Sequence, residues 1–205
     1  GYLARMRGDP VSLVAGDADR VVDRPARAGA EHAEMILALL ARRLDALTTG
    51  GTGQERLAAG APASRLSAVL ERVSTWHRRR SLVVLITDTS HPDARTDPAV
   101  VDWLRRLSAQ HELIAIQVAD DVALAPGRGR RRDVELAGEV PAFLREDKAL
   151  AARLDAQERA RRAQVASLLD SRRIEHVTVT SEAVMMDQIA ELLARQRLVL
   201  NRRRR

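Results

Sequence analysis

Asp88 has the setting that most invites chemistry. It ends the stretch Leu82-Val83-Val84-Leu85-Ile86-Thr87, six apolar or β-branched residues that run straight into a carboxylate. A continuous apolar run, rather than alternation, predicts a strand over Ser81–Thr87 that is buried on both faces at the centre of a parallel sheet. In open α/β sheets, ligands collect beyond the carboxyl ends of the strands. A carboxylate placed there must be solvated, accept backbone N–H groups or bind a cation, because leaving it dry and alone is costly.

The plainest reading makes Asp88 a cap on the turn Asp88-Thr89-Ser90-His91-Pro92-Asp93, through the Asx-turn geometry its short side chain allows. A second is a phosphoacceptor as in response-regulator receivers, with Asp17 and Asp19 adding acidity. Against it, the only lysine, Lys148, leads into a helix instead of closing a strand. A third is a magnesium site, since that ion takes oxygen ligands in octahedral geometry. Ser64, at the start of the helix before the strand, is the hydroxyl that could approach Asp88; further ligands are not visible.

Other chemistry finds less support. The Gly-rich run Thr49–Glu55 follows a helix and lacks the GxxxxGK[ST] or GxGxxG order that aims backbone amides at phosphates, so it reads as a flexible loop. His32, His77, His91, His111 and His176 form no i, i+4 pair and no HExxH signature, and cysteine is absent. Zinc sites and disulfides therefore drop out, and the redox compartment stays open. Ser90 and His91 are adjacent, with no third group to orient the histidine, so no nucleophile and base are paired. The chain reads as non-catalytic.

The elements that must position Asp88 follow from periodicity. Val11–Asp17 is a short strand and turn, and Glu31–Leu47 an amphipathic helix with Met35, Ile36, Leu39, Leu40, Leu44 and Leu47 at helical spacing. A loop over Thr48–Ala63 leads to a helix capped by Ser64, with Leu66, Val69, Leu70, Val73 and Trp76 on one face. Asp97-Pro98 supplies an N-cap and an N1 proline for a helix carrying Val100, Val101, Leu104 and Leu107. Glu112–Asp120 is a second buried strand, and short strands are expected around Val134–Leu136 and Val140–Leu144. A long charged helix over Asp147–Arg172, a strand over Ile174–Thr180 and a helix over Val184–Leu193 complete the order. Strands alternating with helices imply an α/β fold: a mostly parallel central sheet with helices on both faces.

At 205 residues one domain is the default, and 45% apolar with 30% charged residues is an ordinary soluble balance. No apolar run approaches the roughly 18–20 residues that cross a bilayer. The net charge is +6, concentrated in Arg128–Arg132 and Arg202–Arg205. Those segments could meet anionic lipid headgroups or nucleic acid, but aromatic residues are only 2%, too few for a base-stacking platform. No nucleic acid is expected. The opening residues Gly1–Asp9 read as the end of a helix without the apolar segment of a signal peptide, which suggests a fragment of a longer chain.

Taken in order, "RGDPVSLVAGDADRVVDRPARAG", "RRRSLVVLITD", "LRRLSAQHELIAIQVAD" and the run from Phe143 to Arg197 resemble the carboxyl-terminal half of a bacterial family known as domain of unknown function 58, or DUF58. That resemblance implies a variant of the von Willebrand factor type A fold, here lacking its first strand. It also implies a metal-ion-dependent adhesion site built from an Asp-x-Ser-x-Ser motif after the first strand, a later Thr and an Asp after the fourth strand. Asp88 matches the last of these. Ser64 stands where the family often has Thr in Gly-Thr-Asp-Leu, but the segment reads Ala63-Ser64-Arg65-Leu66, and a cation at Arg65 opposes metal binding. The Asp-x-Ser-x-Ser motif is absent, so Mg2+ is expected only if upstream ligands exist. The family also implies a MoxR-type AAA+ ATPase as partner and a membrane anchor ahead of the domain.

The sequence thus predicts a von Willebrand A-like domain over residues 1–198 with a basic disordered tail over 199–205. Its expected role is a non-catalytic protein-protein interaction module, cytoplasmic and membrane-associated only through a segment outside this chain. A basic module for anionic lipid or nucleic acid is the alternative.

Overall fold

In the computed structural model, residues 2–16, 21–48, 65–76, 79–89, 91–119, 132–133, 138–139 and 148–203 are described. Ser64, Asp17, Asp19, Ser90, the Gly-rich run and the Arg128–Arg131 segment lie outside them. The short strands expected at Val134–Leu136 and Val140–Leu144 do too. The chain divides into two compact units, the first formed by residues 1–72 and 130–139, the second by residues 73–129 and 140–205.

In the first unit, α1 (Tyr2–Arg7) stops at Gly8, whose φ of 70° is the left-handed turn that glycine adopts without a Cβ clash. Asp9 N–H then returns to the Ala4 carbonyl at 2.9 Å, so these residues do form a helix end. β1 (Val11–Gly16) and β2 (Val21–Arg27) pair antiparallel, with an irregularity between Val11 and Leu13. β2 was not foreseen, because its charges and Pro25 hide the strand signal; a proline is tolerated only at a sheet's edge or margin. α2 (Ala30–Thr48) follows. Ile36 and His32 are buried on it, whereas Met35 and Leu40 are exposed, so its buried face is narrower than the apolar spacing implied. His32 Nε2 lies 2.9 Å from the Val11 carbonyl and ties the helix to the hairpin. α3 (Leu66–Trp76) buries Leu66, Ser67 and Leu70, and its Arg72 pairs with Asp23 of β2. A two-residue antiparallel bridge, β5 (Arg132–Asp133) with β6 (Gly138–Glu139), belongs to the same unit.

The second unit is built on β3 (Leu82–Asp88), β4 (Glu112–Val118) and β7 (Glu175–Val179), all parallel in the order β3-β4-β7. α4 (Ala99–Gln110) joins β3 to β4, and its Val100, Leu104 and Leu107 are fully buried at the i, i+4, i+7 spacing of one helix face. The N-cap of α4 is Pro98 (φ −58°, ψ −29°) with no side-chain cap hydrogen bond, one residue later than the Asp97 cap the sequence implied, and the Asp97 carbonyl accepts the Val100 N–H at 3.1 Å. α5 (Lys148–Ser171) buries Val165 and Leu169. α6 (Glu182–Arg203) packs Leu192 against Ile114, Ile116 and Val179, with Met185 and Ile189 beside them. Its helix runs on to Arg203, through the first two of the four terminal arginines.

The fold is therefore α/β, and the described residues form one parallel three-stranded sheet, two antiparallel ribbons and flanking helices. One expectation needs correcting. Among the described residues the strand ending at Asp88 is not central: β4 is, with Leu113–Gln117 buried, and β3 lies at the sheet's edge. Leu82, Val84 and Ile86 are 49%, 44% and 66% exposed, while Leu85 on the opposite face is buried. Strand composition reports the apolar character of both faces, but not which neighbours cover them.

This asymmetry fixes the cost of substitution. Leu85→Ala should lower stability by about 2–4 kcal/mol, whereas Ile86→Thr should cost under about 1 kcal/mol, as read from urea unfolding. Equal costs would show that the second face of β3 is covered.

Candidate functional site

The carboxyl edge of the parallel sheet carries a loop whose polar groups are largely accounted for. Parallel pairing sets Thr87 opposite Gln117 and Asp88 opposite Val118, so the chain leaves β3 beside the end of β4. The Asp88 side chain is 40% exposed, and its Oδ1 accepts the His91 N–H at 3.0 Å. The same oxygen lies 2.9 Å from His91 Nδ1. A carboxylate only accepts, so this contact selects the tautomer with the proton on Nδ1. The sequence offered no group to orient His91; Asp88, three residues earlier, orients it.

Behind this pair the loop is fastened to the sheet and to α5. Gln117, buried on β4, donates from Nε2 to the His91 carbonyl at 3.2 Å. Thr89 is buried and its hydroxyl donates to Glu158 of α5 at 3.3 Å. The His91-Pro92 peptide is cis. Asp93, 7% exposed, accepts the Arg95 N–H on Oδ1 at 2.9 Å and lies 3.6 Å from Arg161 of α5 through Oδ2. Its own carbonyl takes the Asp97 N–H at 2.9 Å, closing the turn that starts α4.

Asp93 is held below the ordinary carboxylate pKa. The Arg95 backbone N–H is the largest cause; burial opposes it, and the charges of Arg95 and Arg161 add to the lowering. Sequence reasoning missed Asp93, Gln117, Glu158 and Arg161. Only the Asp93-x-Arg95 spacing of an Asx turn was there to be seen.

Of the two residues assigned to metal, Asp88 stands at the strand end where it was expected, and Ser64 lies outside the described residues. Among the described residues, no group of three or more His, Asp or Glu side chains is arranged to hold a metal ion. Asp88 alone does not provide the oxygen donors that magnesium requires. None of the described helices is long and apolar enough to cross a membrane.

The comparison with family models decides the assignment: the model described as protein of unknown function DUF58 matches residues 1–165. The chain belongs to the DUF58 family. The matched span contains the Asp88–Asp97 loop and the α5 residues Glu158 and Arg161 that contact it. No curated protein and no solved structure matches the chain.

The depressed Asp93 pKa gives a signed pH dependence. Its contribution to stability is present above the unfolded carboxylate value of 3.8 and is lost as pH falls through the lower folded value. Asp93→Asn should therefore destabilise at neutral pH by about 1–3 kcal/mol, with a gap to wild type that narrows below about pH 4. A gap that is independent of pH in denaturant titrations would refute the assignment.

Proposed function

We propose that this chain is a von Willebrand A-like, non-catalytic interaction module that engages a protein partner through the Asp88–Asp97 loop. One observation carries the reading: a half-exposed carboxylate ends a parallel strand on a loop anchored to β4 and α5 by side-chain hydrogen bonds. Such preorganisation lowers the ordering entropy of association. The family resemblance makes a MoxR-type AAA+ ATPase the partner to test, in a membrane-associated bacterial system. The exposed Leu82, Val84 and Ile86 share one face of β3, and an element packed on that face would cover them. Magnesium enters this reading only with ligands beyond those described. Binding to anionic lipid or nucleic acid rests on the arginine-rich segments alone, and Arg128–Arg131 lie outside the described residues.

The test is capture of a MoxR-type ATPase by this chain and by Asp88→Asn, which keeps an oxygen for the His91 N–H and removes the charge. Binding should fall about tenfold, with a melting temperature within about 3 °C of wild type. Undiminished capture by the variant, or none by wild type, would overturn the proposal.

A further inference from the structure

Two contacts from one helix face bracket the Asp88–His91 pair. Glu158 and Arg161 are three residues apart on α5, so they share a face with about 4.5 Å of rise between them. Glu158 receives the Thr89 hydroxyl, one residue after Asp88, and Arg161 approaches Asp93, two residues after His91. The next turns of the helix bury Val165 and Leu169, which fixes its second half against the core. Before Glu158, Ala152, Arg153, Ala156 and Gln157 are exposed.

The Asp93–Arg161 contact is incompletely bonded. At 3.6 Å it is a charge contact, and both Asp93 Oδ2 and Arg161 Nε are buried without a hydrogen-bond partner among the described residues. With Asp93 buried but the Arg161 side chain 32% exposed, a pair that leaves atoms unsatisfied is weak and sensitive to small displacements. A shift of under an ångström in either element would close or break it.

We propose that Glu158 and Arg161 are positioning residues for the Asp88 loop: they clamp Thr89 and Asp93 on either side of His91, so that α5 and the loop move as one body. The consequence for binding rests on the proposed function of that loop. A partner that prefers the clamped loop also fixes α5, and a contact on the exposed Ala152, Arg153, Ala156 or Gln157 is felt at Asp88, because coupling between two sites is reciprocal.

Backbone amide exchange on the isolated chain tests the clamp without any partner. The amides of His91, Arg95 and Asp97 are the reporters, since each donates inside the loop. Arg161→Met should speed their exchange about tenfold and leave Leu113–Gln117 of β4 unchanged, while Arg161→Lys should retain most of the protection. Thr89→Val removes the other contact without stranding a charge and should speed the same amides severalfold. Unchanged loop exchange in both Arg161→Met and Thr89→Val would overturn the proposal, as would equal acceleration in the loop and β4. Failure of ATPase capture with a positive exchange result would remove the binding role and leave the clamp standing.

Discussion

A carboxylate at the end of a parallel strand that is buried on one face has to find hydrogen-bond donors, and Asp88 finds them within its own loop. The His91 amide and ring supply them, and that requirement draws the chain back over the sheet edge in a tight turn. The turn brings the His91 carbonyl within reach of Gln117 and points Asp93 at Arg95 and Arg161. One local electrostatic need therefore organises contacts with β4, α4 and α5. It also explains why the carboxylate is only half exposed: part of its capacity is spent on the fold, and the remainder faces solvent at the edge where ligands of such sheets gather.

The parallel sheet supplies the frame for that turn. β4 lies between two partners and buries residues on both faces, so its carboxyl end is a fixed point. Among the described residues β3 has one partner and leaves Leu82, Val84 and Ile86 exposed. An exposed apolar edge strand is a pairing template that folded proteins usually cover. The contrast between a rigid β4 and an open β3 places the loop where one side is anchored and the other is accessible.

How much of this was legible in the sequence depended on the range of the interaction. The strand ending at Asp88, α4 behind Asp97-Pro98, and the buried run of β4 could be read from composition and periodicity, because those signals are local. β2 was concealed by Pro25 and its charged neighbours, and the edge position of β3 is a property of sheet order that no single strand encodes. Asp88 was found as a strand-end acid. Its partner His91 was noticed only beside Ser90, because the i, i+3 contact depends on how the loop turns. Thr89 with Glu158 and Asp93 with Arg161 are separated by more than sixty residues, and nothing in either segment points to the other. Membership of the DUF58 family was legible because its quoted segments recur in order along the chain.

As proposed above, Asp88 serves its loop and a partner rather than a metal ion, and the metal half of that proposal has a direct test. Paramagnetic Mn2+ substitutes for magnesium at oxygen sites, so amide line broadening reports directly on whether such a site forms. With millimolar Mn2+ added to residues 1–205, no selective broadening of the Thr89, His91 and Asp93 amides over those of α4 is expected. Strong broadening centred on Asp88 and falling off with distance from it would contradict the claim.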